Sequence, residues 1–250
     1  MTDQLAKTIL FWLGLVFAPL VLAGMELFHP ANFTRDPGMF AYLCTSQPYA
    51  PAFQALGYFG PRWWVALHMI QLPLLGLVSV GLWGLMDGIE GGVAGSLAWL
   101  SRTFTFLFMI FYTALDSIGG IGLGRSILNV EAMQAAGTLT PEQAAGAIKL
   151  LNTDWVDPIT GGVGSFISLG GSWAIFAAAL TAALALALTA RAPWPALLLL
   201  VGFGWEIQVS HASPHGPIGF TLLVVASLWI WRSRQRVGSR HPVDIVPAAT

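Results

Sequence analysis

The chain has 250 residues, of which 56% are hydrophobic and only 9% are charged, and its formal net charge is −1. Soluble domains carry about 25% charged residues, so this composition excludes an ordinary soluble domain. The chain also lacks a basic stripe, which argues against nucleic acid as a partner. The single cysteine, Cys44, cannot form a disulfide within the chain. The composition predicts an integral membrane protein whose first partner is the lipid bilayer.

Six apolar segments are long enough to cross the bilayer as helices, since about 20 residues span its hydrocarbon core. They are residues 8–28, 63–86, 104–124, 166–190, 194–212 and 218–231. The last segment reaches that length if it begins near Pro217 and continues into the arginines that follow, whose side chains can extend to the interface. The sequence therefore predicts an all-α bundle of six transmembrane helices, forming one domain over residues 1–231.

The distribution of lysine and arginine between the loops sets the orientation of such a bundle. With the N-terminus inside, the inner segments hold Lys7, Arg102, Arg191, Arg232, Arg234, Arg236 and Arg240, and the outer segments hold Arg35, Arg62, Arg125 and Lys149. This bias predicts an N-in, C-in topology in a bacterial-type inner or plasma membrane.

Two outer segments are long enough to have structure of their own. Residues 30–61 are rich in proline, glycine and aromatic residues, and predict an ordered loop over the bundle. Within residues 126–160, Thr140 is a suitable N-cap and Pro141 suits the first helical position, which predicts a short interfacial helix. The basic tail, residues 232–250, is expected to be disordered in the cytoplasm.

Ionisable side chains are concentrated in the outer third of the predicted membrane. Glu26 and His29 end the first span, three residues apart and so on one face of a helix. At 1.5 Å per residue, His68 lies about 9 Å and Asp116 about 12 Å inside the outer surface. The whole layer consists of Glu26, His29, His68, Asp116, Glu206, His211 and His215.

Burying these groups carries a cost that a bound metal would offset. A carboxylate in the middle of a membrane helix costs on the order of 2.5–3.5 kcal/mol to insert. Arg62 and Arg125 are too few and too superficial to serve all three acids. A divalent metal ion would satisfy carboxylates and imidazoles together, so all seven residues are candidate ligands. A His and carboxylate set without thiolate favours zinc or iron, with copper possible and manganese less favoured.

Other interpretations of this layer remain open. A b-type haem could be held between histidines such as His68 and His211. The layer could also be a metal-free pathway for protons or ions, or a structural polar network between helices. The glycines of residues 117–124 are interpreted as permitting close helix packing.

Three histidines and an aspartate, His68, Asp116, His211 and His215, resemble the zinc site of the alkaline ceramidase and adiponectin-receptor hydrolases. That family has seven helices and a serine one turn before its first histidine, where this chain has Trp64. The resemblance is confined to these four residues, and the chain is not assigned to the family.

The sequence thus predicts a membrane metalloprotein with a shallow site facing the outer side. With zinc, Asp116 or Glu206 as the catalytic base would favour hydrolysis of a lipid-like or other apolar substrate. With iron or copper, oxidation of such a substrate or electron transfer becomes natural. The alternatives are an accessory subunit of a larger membrane complex and a proton- or ion-linked transporter, and a homo-oligomer is compatible with each.

Overall fold

The computed structural model describes residues 3–29, 38–44 and 60–238, and within these ranges the chain forms helices and no strand. The predicted all-α class is therefore confirmed. The helices are α1 Asp3–Glu26, α2 Met39–Cys44, α3 Pro61–Leu85, α4 Gly92–Ala135, α5 Pro141–Trp155, α6 Phe166–Leu188, α7 Trp194–Val209 and α8 His215–Gly238. Most of the predicted outer loop 30–61 and the end of the predicted tail lie outside the described residues.

Five of these helices are long and apolar enough to cross a membrane, namely α1, α3, α4, α6 and α8. The segment predicted as the fifth span, 194–212, is shorter than expected, because α7 ends at Val209. Ser210 adopts an extended conformation and Pro214 follows in the link to α8. The 16 residues of α7 measure about 24 Å at 1.5 Å per residue. Six full-length spans are thus not confirmed.

Two helices extend beyond their predicted bounds. The third predicted span, 104–124, is the middle of a 44-residue helix, α4. The earlier start brings the charged Arg102 into the helix. This is compatible with a membrane because the Arg102 guanidinium donates to the Met86 carbonyl (3.1 Å) and stacks over the Trp99 ring at 5.2 Å. Helix α8 begins at His215 and continues through the arginines to Gly238, so residues 232–238 of the predicted tail are helical.

The six long helices form a closed ring. Helix α1 packs on α3, α3 on α4, α4 on α6, α6 on α7 and α7 on α8, and α8 returns to α1. Helices α1 and α3 approach closely because Gly14 lies against the backbone of Gly81. Apolar side chains fill the centre, with Leu22, Phe108, Phe203 and Phe220 among the largest wholly buried ones. The ring gives the bundle two ends with different chemistry.

One end, which we call the basic end, is built around the C-terminus of α3. Three arginines donate hydrogen bonds to its last carbonyl groups and to the turn that follows: Arg234 to Leu85 (3.2 Å), Arg102 to Met86 (3.1 Å), and Arg191 to Asp87 (2.8 Å) and Gly88 (2.6 Å). These carbonyls lack partners within the helix and carry partial negative charge, so cationic donors stabilise them. The basic end therefore joins α3, α4, α8 and the α6–α7 turn.

The opposite end, which we call the histidine end, is covered by a helical cap. Residues 123–135 of α4 pack against α5, and α2 packs on α5. Helix α5 is the predicted short helix, and Thr140 and Gln143 form a reciprocal capping box at its start. A small apolar cluster, distinct from the main core, joins the cap to α3 through Trp64, Ile127 and Leu151. The cap lies directly over the ionisable residues.

Candidate functional site

Three histidines from three separate segments meet at the histidine end. His29 follows α1, His68 lies two turns into α3, and His211 lies in the α7–α8 link. The ring centroid of His29 is 5.5 Å from that of His68 and 4.9 Å from that of His211. His29 and His68 are 2% and 4% exposed, and His211 is partly buried. The sequence placed these residues at one depth, and the structure brings their rings into contact.

The orientation of His68 is fixed by its own helix and by α4. Its Nδ1 atom lies 2.7 Å from the carbonyl oxygen of Trp64, and because a carbonyl can only accept, Nδ1 carries the proton. The other ring nitrogen, Nε2, therefore keeps its lone pair for a proton or a metal. Gly120 makes room for the ring, because a Cβ atom there would collide with it. The glycine-packing interpretation of residues 117–124 is confirmed at this position.

Trp64 connects α3 to a distorted segment of α4. Its indole Nε1 donates to the Gly119 carbonyl at 3.1 Å, and its ring lies 4.4 Å from the His68 ring. Gly119 belongs to a π-helical stretch, Asp116–Gly122, within α4. Such stretches free carbonyl groups from the regular helical pattern and are frequent at functional sites. Here the wider turn supplies an acceptor for Trp64 and a flat surface for His68.

A small cavity, about 20 Å³ in volume, lies among the three histidines. Its remaining wall comes from Trp64, α4 and the segment around Gly162, with Trp155 of α5 closing it. A cavity of this size holds about one water molecule. The centre of the site therefore accommodates an ion or a water-sized ligand without movement of the wall.

Two buried carboxyl groups belong to the same end of the bundle: Glu26 ends α1, three residues before His29, and Asp116 begins the π-helical stretch of α4. Glu26 and Asp116 are both 0% exposed and close enough to interact electrostatically. Gln71 donates to Glu26 Oε1 at 2.8 Å. Four oxygen atoms of this trio, Glu26 Oε2, Gln71 Oε1 and both Asp116 carboxyl oxygens, have no hydrogen-bond partner among the described residues. Buried oxygens in this state call for protons, a cation or water.

The last two predicted ligands form a pair of their own. His215 Nδ1 lies 2.7 Å from Glu206 Oε2, joining the first turn of α8 to α7. Their side chains are 38% and 23% exposed, and neither residue lines the cavity. The predicted set of seven is thus divided into three histidines, two adjacent carboxyl groups and this separate pair.

No group of three or more His, Cys, Asp or Glu side chains within residues 3–29, 38–44 and 60–238 is arranged to hold a metal ion as it stands. Ring nitrogens of the three histidines would have to turn towards a common point to do so. Metal binding therefore stays a prediction.

Sequence reasoning missed the aromatic walls of the cavity. A tryptophan beside Arg62 at the outer end of a span is typical of the membrane-interface belt, yet Trp64 is 2% exposed and its carbonyl accepts a hydrogen bond from His68. Trp155 packs edge-on against Trp64 at 5.9 Å and against the backbone of Gly162. A signal was available for Trp64 alone, because it lies one helical turn before His68.

No protein-family model matches the chain, and neither the curated proteins nor the solved structures contain a detectable relative of it. Its function is therefore argued from the site alone.

Proposed function

We propose that this protein is a membrane metalloprotein that binds one divalent transition-metal ion through the imidazoles of His29, His68 and His211. The observation that supports this is the convergence of three histidines, two of them buried and one partly buried, each from a different segment, around a cavity of ionic size. A purely structural role would require only one or two polar contacts between helices. Three clustered imidazoles in an apolar bundle have a higher free-energy cost of burial than such a role requires.

The spacing of the rings supports a shared metal. Three imidazoles bound to one tetrahedral zinc, each at about 2.0 Å, place their ring centroids about 5 Å apart. The two measured separations, 5.5 Å and 4.9 Å, bracket that value. Binding then needs rotation of the rings rather than movement of the helices. In His68 the hydrogen bond from Nδ1 to the Trp64 carbonyl leaves Nε2 as the nitrogen that would bind the metal.

Imidazole ligands suit zinc, iron or copper. The cavity of about 20 Å³ is too small for a haem, which would require the helices to separate, so a single ion is favoured over the haem alternative. A metal at this point would supply Lewis acidity or redox chemistry. Asp116 and Glu26, the two buried carboxyl groups of this end, would be the candidate proton acceptors, whereas Glu206 is engaged with His215.

Hydrolysis or oxidation of a lipid-like or other apolar substrate is the reaction class we propose. Such a substrate requires the wall formed by Trp155 and Gly162 to move, because a cavity of about 20 Å³ admits only a water-sized ligand. The wall belongs to α5 and the turn after it, which lie outside the ring of long helices.

The proposal places the site at the outer side of a bacterial-type inner or plasma membrane, with an N-in, C-in topology. Helix α7 serves as the sixth span, since it occupies a full place in the ring between α6 and α8 despite its 16 residues. The basic end then faces the cytoplasm, as the positive-inside rule favours. An oligomer or a larger membrane complex is compatible with this arrangement.

Elemental analysis and a visible absorption spectrum of the detergent-purified protein test the proposal. About one zinc, iron or copper per chain is expected in the wild type, and none in the double variant His68→Ala, His211→Ala. His215→Ala is the matched control, because it removes a histidine of the same end that does not line the cavity. Metal lost equally from the control, or absent from the wild type after reconstitution, would refute the proposal.

A metal-free role in proton transfer is the second candidate, and the four unpartnered oxygens of Glu26, Gln71 and Asp116 favour it. Asp116→Asn separates the two candidates. If Asp116 carries protons without a metal, the metal-free wild type is active and the metal-free variant is not. If Asp116 assists a bound metal, both metal-free proteins are inactive, and the variant lowers turnover only in the metal-loaded protein.

A further inference from the structure

The basic end of the bundle contains two cavities that share one residue, Arg234. The first, about 550 Å³ in volume, lies at the α6–α7 turn and is lined by Thr189, Arg191 and Ser233 together with Arg234. The second, about 470 Å³ in volume, lies between α1, α3 and α8. Arg234 therefore borders both a polar, basic pocket and a crevice between helices.

The basic pocket carries positive charge without a matching acid. Arg191 and Arg234 lie close enough for their guanidinium groups to repel each other electrostatically. Arg191 uses two N–H groups on the α3 carbonyl end and Arg234 uses one, out of five on each side chain. Within the described part of the chain neither arginine forms an ion pair, and Asp87, the acid that Arg234 interacts with electrostatically, is paired with Lys7 and Arg102.

The adjoining crevice has the character of a lipid-chain site. Phe11, Val80 and Trp231 line it, and the Phe11 and Trp231 rings lie 4.5 Å apart. Lys7 stands at its mouth on the first turns of α1. Cationic side chains at the edge of an apolar crevice match the two parts of a phospholipid.

We propose that the basic end binds one anionic phospholipid, with its phosphate between Arg191 and Arg234 and an acyl chain along Phe11, Val80 and Trp231. Guanidinium groups bind phosphate oxygens through paired N–H donors, and basic pockets between membrane helices recognise anionic headgroups. A free phosphate ion would satisfy the arginines and leave the apolar crevice unexplained, so the lipid is the ligand that fits both cavities. This site lies at the opposite end of the ring from the histidines and does not depend on the proposed metal.

Titration of the full-length protein in detergent with phosphatidylglycerol, followed by native mass spectrometry, tests this inference. Phosphatidylcholine with the same acyl chains measures the headgroup preference, and inorganic phosphate measures whether the lipid chain matters. We expect phosphatidylglycerol to bind at least tenfold more tightly than phosphatidylcholine, and an excess of phosphate not to displace it. Arg234→Gln should weaken phosphatidylglycerol binding by about fivefold or more.

Arg232→Gln is the matched control, because Arg232 is an exposed arginine of the same helix that lines neither cavity. Equal losses in the two variants, equal binding of the two lipids, or displacement by phosphate would each overturn the inference. Ala192→Phe provides an independent test if Arg234→Gln does not fold. It fills the basic pocket while leaving every arginine in place, and unchanged lipid binding in this variant would also refute the site.

Discussion

His68 has little freedom at the residue scale, although its imidazole lies where a ligand would bind. The Trp64 carbonyl holds one nitrogen, the Trp64 ring covers one side, and the backbone of α4 at Gly120 lies against the ring. A histidine fixed in this way presents its second nitrogen in a constant direction. The glycine is as much a part of the site as the imidazole, because it sets the distance between α3 and α4.

Gly120→Ala should therefore displace the His68 ring and destabilise the protein by about 1–3 kcal/mol, the usual cost of overpacking a buried site. Thermal unfolding in detergent, followed by circular dichroism, measures the change. Gly76→Ala is the control, because a Cβ atom at Gly76 meets nothing within 4 Å. If the two variants unfold at the same temperature, the α3–α4 contact is not as tight as the structure indicates.

At the scale of single elements, the turn after α5 forms one wall of the cavity. The Asp157 carboxylate accepts hydrogen bonds from the backbone N–H groups of Ile159 (2.9 Å) and Thr160 (2.7 Å). The Gly162 N–H then donates to the Trp155 carbonyl at 2.9 Å, which brings Gly162 against the indole. One partly buried carboxylate thus orders the segment that lines the cavity.

This turn should loosen in acid. The two N–H donors lower the pKa of Asp157 below its ordinary value of 3.8, so their contribution is complete above that value and is lost as the pH falls through the lower, folded-state pKa. Hydrogen exchange of the Ile159 and Thr160 amides should keep its protection down to about pH 4 and lose it as the pH falls further, through the lowered pKa of Asp157. Asp157→Asn should show little of this pH dependence, while Asp154→Asn, an exposed acid of α5, should behave like the wild type.

The C-terminus of α3 is the second element whose stability depends on its neighbours. Arg102 is mostly buried, donates to Met86 and Asp87, and lies over two indole rings, those of Trp83 at 6.0 Å and Trp99 at 5.2 Å. Arg102→Gln should lower the free energy of unfolding by about 1.5–3 kcal/mol, the range for hydrogen bonds to a charged group. The exposed Arg232→Gln should change it much less in the same thermal assay. An equal shift in both variants would mean that net charge, and not the bonds to α3, sets the stability.

For the ionisable residues, depth in the bundle could be predicted from the sequence, but the direction of each side chain could not. Depth along a span follows from counting residues, which is why His29, His68 and His211 were correctly expected at one level. The direction in which a side chain points around its helix does not follow when the helix is apolar on all sides, as α7 is, because no polar face marks its orientation. Glu206 consequently pairs with His215 on α8, a partnership that depends on the α7–α8 link and not on depth. The π-helical turn of α4 was equally invisible, since no residue pattern identifies it.

At the scale of the whole molecule, the three histidines tie together parts of the chain that are far apart in sequence. A metal bound by them would link α1, α3 and the α7–α8 link, and would stabilise the folded protein by about 2.7 kcal/mol when free metal is at 100 times its dissociation constant. Thermal unfolding should therefore shift upwards on adding the metal and downwards with a chelator. The shift should vanish in His211→Ala and persist in His215→Ala. A chelator that leaves the unfolding temperature of the wild type unchanged would contradict this expectation.

The closed ring also determines when the surroundings of the buried Glu26 carboxyl group are completed during synthesis. Helix α1 is the first of the six to leave the ribosome and α8 is the last, yet these two lie side by side, with Gly216 of α8 against the Glu26 side chain. During synthesis Glu26 therefore stays without this neighbour until residues 215 and 216 at the start of α8 have been made. A chain that ends before α8 keeps the hydrogen bond from Gln71 but leaves Glu26 without the wall that Gly216 provides.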